Sequence, residues 1–208
     1  MPDAARSRRL KPEQREAAIL DAALEAFARS GFADARIEDI ARAAKVSKGS
    51  VYLYFPTKQA LFEALVQRDI GPRVEMAKEF LDSYDGPLEP ALQNLADMVS
   101  TIIDSGQTPI YPRLLVAESQ RLPELVDFYR REVVGVLLGA LSGLFTRAMT
   151  KGEIAQDDPV MLAHLFVAPV LKALMWALVF TPTESEPFRA GPYLASHIRL
   201  FLKGLQHA

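Results

Sequence analysis

The side chains in this chain best suited to chemistry are hydrogen-bond donors, not nucleophiles, and they cluster. Lys48, Ser50, Tyr52 and Tyr54 fall within seven consecutive positions, with Gly49 among them. Lys48 can donate to guanine N7 or O6 or to a phosphate, Ser50 to either, and the two tyrosine hydroxyls suit phosphate oxygens. Gly49 and Ser50 are small enough to let a backbone approach a base edge. Donors of this kind suit a nucleic-acid groove.

These residues need elements to hold them. Ile37, Ile40, Ala41 and Ala44 make one apolar stripe at helical spacing, so a short amphipathic helix is predicted there. Lys45-Val46-Ser47 breaks it, and Ser47 is a good N-cap for a second short helix that turns Val51 inward. Two short helices joined by a tight turn form the unit that seats its second helix in the DNA major groove. The same spacing also fits a plain helical hairpin that packs its Val/Ile/Ala face and leaves its polar residues to solvent.

Gly31-Phe32 and then Ile37-Glu38-Asp39-Ile40-Ala41, Ala44, Val46-Ser47-Lys48-Gly49-Ser50-Val51-Tyr52, Tyr54-Phe55-Pro56-Thr57-Lys58 and Ala60-Leu61-Phe62 closely resemble the N-terminal domain of the TetR/AcrR family of bacterial transcriptional regulators. The resemblance runs from about Arg15 to Leu65, about a quarter of the chain. It implies a DNA contact set of Arg36, Ser47, Lys48, Gly49, Ser50, Tyr52, Tyr54, Thr57 and Lys58, with Lys58 beside a phosphate. It further implies an all-α, nine-helix architecture: a three-helix head carrying the helix-turn-helix, followed by a helical ligand-binding and dimerisation domain. Two positions depart from the pattern. Lys45 stands where the family usually has Gly, which adds strain if the turn needs positive φ. Arg36 stands where a hydroxyl residue usually caps the first helix of the pair.

Composition narrows the alternatives. Half of the 208 residues are hydrophobic, enough for a substantial core, and there is no cysteine, which excludes disulfides and thiolate metal sites and fits a reducing cytoplasm. The basic N-terminus has no apolar run behind it, so no signal peptide is expected. Residues 1–60 hold 11 Lys+Arg against 8 Asp+Glu, and residues 61–208 hold 13 against 18, so a basic head precedes an acidic body. An enzyme is the competing class. His164, His197 and His207 form no metal-like pair, and a phosphate loop, a serine elbow and a cysteine nucleophile are all lacking. No cofactor is expected. A DNA-binding protein without an effector would have the same head.

In chain order, residues 1–11 read as a basic arm in which Arg6, Arg8 and Arg9 can reach DNA, and 12–57 as the DNA-binding head, with the helix-turn-helix at about 37–56. Residues 58–84 read as a linking helix with a kink or break at Gly71-Pro72, and 85–208 as the effector and dimerisation domain. Later helices are predicted over 87–103, 109–119, 123–149, 157–180 and 188–205. From Val160 to Phe180, 18 of 21 residues are apolar, but His164, Pro169 and Lys172 interrupt the run, and burial against a second subunit is expected in place of a membrane. By resemblance, the chain dimerises through its last two helices, about 158–180 and 188–205, and two recognition helices then face a palindromic operator in double-stranded DNA. A small hydrophobic or aromatic effector is expected among Met98, Ile102, Tyr111, Leu114, Phe128, Leu138, Phe145, Met175 and Trp176, with Arg113 and Glu118 as polar anchors. Each of these residues also fits plain core.

Overall fold

The computed structural model describes residues 11–104, 110–180 and 188–205. Arg6, Arg8 and Arg9 of the arm, Pro109 and His207 lie outside them. Ten helices make up the described residues, and their contacts divide the chain into two compact units.

The first unit comprises residues up to Asp69 together with Leu114–Val126. Helix α1 spans Pro12–Asp34, with Pro12 at its first turn and the Lys11 N–H donating to the Gln14 side chain at 3.1 Å. Gly31 interrupts it at φ 78°, ψ 171°, the left-handed region that a glycine occupies without Cβ strain. Of the stripe that helical spacing predicts, Ile19, Leu20, Ala23 and Phe27 are buried on its inner face and Leu24 is half-buried. Beyond the break, Phe32 lies 5.1 Å from the Phe27 ring and edge-on to Phe62 at 6.1 Å. Helices α2 (Ile37–Ala43), α3 (Lys48–Tyr54) and α4 (Lys58–Asp69) follow. Thr57 Oγ1 accepts from the Ala60 N–H at 3.0 Å and so caps α4.

The second unit comprises 70–113 and 127–208. Its helices are α5 (Gly71–Ser83), α6 (Leu88–Asp104), α7 (Ile110–Glu118), which crosses into the first unit, α8 (Pro123–Thr150), α9 (Pro159–Val179) and α10 (Ala190–Gly204). The linking helix of the sequence reading is therefore two helices, broken at Ile70, and this accounts for ten instead of nine. Gly71-Pro72 supplies the break, since proline donates no N–H to the preceding turn and begins α5. Helix α8 contains a π turn at Arg130–Gly135, where a Cβ on Gly135 would come within 3.2 Å of the Arg130 carbonyl. Of Asp157 and Asp158, either of which could start this helix by its sequence, it is Asp158 that caps α9 through the N–H groups of Val160 and Met161. Helix α10 is capped from a distance: Asp104 at the end of α6 accepts from Ala190 and Gly191 at 2.8 and 3.3 Å. The core is built from Leu81, Leu92, Phe145, Phe166, Leu194 and Ile198. His197 joins its rings, 5.8 Å from Phe166 and 5.4 Å from Phe201.

Two turns close helices in the same way with different residues. After α2, the Val46 N–H reaches the Ala41 carbonyl and Lys45 N–H reaches Arg42; after α8, Glu153 reaches Ala148 and Gly152 reaches Met149. Both are Schellman closures, which need a left-handed residue, and the structure has Gly152 at φ 71° but Lys45 at φ 56°. Lys45→Gly is expected to stabilise the protein by about 0.5–1 kcal/mol, read as a higher midpoint in urea, with Lys45→Ala near neutral. A second prediction concerns acid. Burial chiefly holds the His197 pKa below its ordinary 6.5, with a backbone hydrogen bond at Phe166 opposing it. The unfolded chain therefore takes up the proton first, and stability present above pH 6.5 is lost as pH falls from there through the folded value. His197→Phe should flatten that part of the stability-against-pH curve.

Candidate nucleic-acid interface

Helix α3 is short because it is bounded tightly at both ends. Ser47 Oγ accepts from the Ser50 N–H at 3.1 Å, and Ser47 Oγ also donates to Ser50 Oγ at 3.0 Å. At the other end the Phe55 N–H closes on the Val51 carbonyl and Pro56 follows. Val51 is the only residue of α3 fully withdrawn from solvent. Lys48, Gly49, Tyr52 and Leu53 occupy one outward face at i, i+1, i+4 and i+5, and all are exposed. Leu53, 81 % exposed, is absent from the residues picked out by the resemblance. Its signal was in the sequence: it shares the Gly49 face by helical periodicity.

That face is held in place without being consumed. The Lys48 ammonium pairs with Glu38 of α2 at 2.6 Å and lies 5.7 Å from the Tyr52 ring centre. The hydrogen bond to Glu38 is the main cause that raises the Lys48 pKa, and the same bond lowers that of Glu38. Both side chains are about half exposed, so the pair orients Lys48 while leaving donors for an incoming anion. A Cβ on Gly49 would meet only Ser47 Oγ, at 3.9 Å, so nothing in the head requires glycine there. Arg36 precedes α2 with an exposed side chain that makes no capping bond.

Three residues of the expected contact set are engaged elsewhere. Tyr54 is half-buried, and its hydroxyl donates to the Pro12 carbonyl at 3.4 Å. Thr57 spends its hydroxyl oxygen on the α4 cap. The resemblance sets Lys58 beside a phosphate, but the structure turns its ammonium inward. It donates to the carbonyls of Ala33 at 2.7 Å and Ala35 at 3.1 Å and sits 4.9 Å from the Phe32 ring. The bare carbonyls at the end of α1 are the reason, since they attract a cation. Burial lowers the Lys58 pKa, opposed by the charges of Glu118 and Asp34.

Glu118 completes the same junction. It is buried in the first unit, and its Oε1 accepts from the Ala33 N–H at 3.0 Å. Sequence separation of 85 residues concealed this partner. As a ligand anchor in the body it is thus misplaced, and Leu114 also belongs to the first unit. An open groove of about 460 Å³ there is lined by Ser30, Gly31, Glu118 and Arg121 among others; no other ligand candidate lines it. In the second unit Tyr111, Phe128 and Phe145 are buried, Leu138 and Trp176 half-buried, and Met98, Ile102, Arg113 and Met175 exposed. Phe145 packs against Phe166 and Phe201 as core.

Two family models match this chain: "Bacterial regulatory proteins, tetR family" over residues 19–65 and "AefR-like transcriptional repressor, C-terminal domain" over residues 90–204. The chain belongs to the TetR family. It is 37% identical over 165 residues to the HTH-type transcriptional regulator RutR of Escherichia coli O157:H7, covering 73% of this chain and 69% of that one. A TetR-family transcriptional regulator from Mesorhizobium loti MAFF303099 superposes with a TM-score of 0.75 at 22% identity, over 95% of this chain and 100% of the other. FadR of Bacillus subtilis, solved in complex with stearoyl-CoA, does so with 0.66 at 21%, over 91% and 99%. This TetR-family chain is accordingly a DNA-binding transcriptional regulator, not an enzyme.

If Lys58 serves the end of α1, Lys58→Met should lower unfolding stability by about 1 kcal/mol. The slope of log affinity for DNA against log salt should stay unchanged, whereas a phosphate contact would reduce that slope by about one. Urea titration and a salt series on one duplex separate the two roles.

Proposed function

We propose that this TetR-family chain is a cytoplasmic homodimeric repressor that binds a palindromic operator and leaves it when a small hydrophobic or aromatic effector binds the second unit. The outward face of α3 carries this reading. Lys48, Gly49, Tyr52 and Leu53 stand exposed together on a helix whose other side is buried, and all four suit the edges and phosphates of a major groove. Lys48 supplies a cation, Tyr52 a hydroxyl, Leu53 an apolar surface for a thymine methyl, and Gly49 room for close approach. Ser47, Ser50 and Arg36 flank that face, while Tyr54, Thr57 and Lys58 hold the head together.

The dimer is supported by α9. Met161, Leu165, Leu171, Met175 and Val179 are 39–55% exposed and, with exposed Ala168 between Leu165 and Leu171, recur at three- and four-residue intervals, and Leu200 on α10 is 65% exposed. Helices α8 and α9 are long and apolar enough to cross a membrane, yet α8 supplies much of the core and a second copy can cover the bare stripe of α9. Two-fold pairing would set two α3 helices roughly 34–36 Å apart on one side of the duplex. Repression is supported by the description of the matching C-terminal family model. An apolar effector is consistent with the stearoyl-CoA held by FadR. It would act by binding one spacing of the heads more tightly than another.

Fluorescence anisotropy on DNA from upstream of the gene, against a scrambled duplex and a single half-site, tests the reading. Preference for the full native site, weakening with salt, is expected. Lys48→Ala and Tyr52→Ala should each weaken binding about tenfold with unfolding unchanged. Gly49→Ala is the sharper variant: it should stabilise α3 by about 0.5 kcal/mol while reducing operator affinity about tenfold or more, because the methyl projects from the DNA-facing surface. Wild-type operator binding by Gly49→Ala would remove α3 from the groove.

A further inference from the structure

Near the end of α9, Lys172 sends its ammonium into a box of aromatic rings. Its Nζ lies 4.3 Å from the ring centre of Trp176, 4.1 Å from Phe188 and 4.5 Å from Tyr193. The box is packed from behind: Trp176 and Phe188 are 6.0 Å apart, Phe188 and Tyr193 5.4 Å, and Phe180 supports Trp176 at 4.8 Å. A cation within about 6 Å of a single ring is already attracted to it. Lys48 and Lys58 meet one ring each, whereas Lys172 meets three.

Three rings around one ammonium is the arrangement that recognises methylated ammonium groups. A primary ammonium is the costlier occupant of such a box, because it is strongly hydrated and its three N–H groups find only weak acceptors in ring faces. A quaternary ammonium has no N–H to leave unsatisfied and lays methyl groups against the rings. Lys172 can also vacate the box: its residue is exposed and its stem is a flexible four-carbon chain.

We propose that Trp176, Phe188 and Tyr193 form a binding site for a quaternary or methylated alkylammonium ligand, filled in its absence by Lys172 as a tethered competitor. The site rests on the reading of this unit as the effector domain only for its consequence on DNA. Ligand binding itself is measured without DNA.

The chain has one tryptophan, Trp176, so its emission reports on the box directly. Purified full-length protein is titrated with choline up to roughly 100 mM, a range set by the effective concentration of a tethered group. A parallel titration uses 3,3-dimethylbutan-1-ol, the neutral isostere of choline. A saturable choline response that the alcohol does not elicit is expected in the wild type. Lys172→Gln and Lys172→Ala should bind about tenfold tighter, and Phe188→Ala or Tyr193→Ala in either background should abolish the response. No saturable response, an equal response to the alcohol, or a response that survives loss of Phe188 and Tyr193 overturns the site. If the Lys172 variants lose their helical circular dichroism, the wild-type pair of titrations decides alone. Saturable choline binding that leaves operator affinity unchanged supports the site and counts against the effector reading; failure to bind overturns the site and leaves that reading intact.

Discussion

The end of α1 is the constraint on which the DNA-binding unit depends. A helix that stops leaves carbonyls and amides without partners, and here α1 is broken at the left-handed Gly31 and ends soon after, at Asp34. Burying such groups unpaired costs about 1–3 kcal/mol each. Two side chains remote in sequence close them. Lys58, 25 residues from Ala33, donates to its carbonyl, and Glu118, 85 residues away, accepts its N–H. The start of α4 and the end of α7 are thereby fastened to one turn of backbone. Helices α2 and α3 lie between Ala35 and Lys58 in the chain, so the outward face of α3 is held from both sides of that junction.

This arrangement explains why so short a recognition helix holds its shape. Seven residues that bury only Val51 make no stable helix in isolation. Ser47 and Phe55 close its ends, Tyr54 ties it to the start of α1, and Glu38 steadies Lys48. With polar groups at the rim satisfied internally, the outward face carries little structural duty. Gly49 makes the point: its lack of a side chain answers no packing need in the head. Lys45 is the opposite case, a residue whose backbone is strained by the turn it occupies.

The second unit solves a different problem, an excess of apolar surface. Helices α8 and α9 are equally suited by length and composition to a bilayer or a core. Rings from three helices, Phe145, Phe166 and Phe201 with His197, fill one side of α9. Its other side stays apolar and exposed. The aromatic rings around Lys172 gather on the same helix and around the start of α10, and Lys172 itself is exposed.

Local chemistry was legible in the sequence. The cap at Ser47, the interruption at Gly71-Pro72 and the buried stripe of α2 depend on residues close to one another in the chain, and the structure has each of them. The order of helices followed from those signals, apart from the division at Ile70 and the π turn in α8. Partners separated by many residues were not legible. Nothing local marks Lys58 as the closure of α1 or Glu118 as its counterpart, or brings Phe188 and Tyr193 onto Lys172. Periodicity says which way a side chain points along its own helix, but the group it meets there is chosen by packing. In this chain the sequence alone determined most of the helices and the inward turn of Val51 on α3, while the tertiary structure decided which charged groups remain available and which are consumed in holding the fold, because that depends on backbone groups left bare elsewhere in the chain.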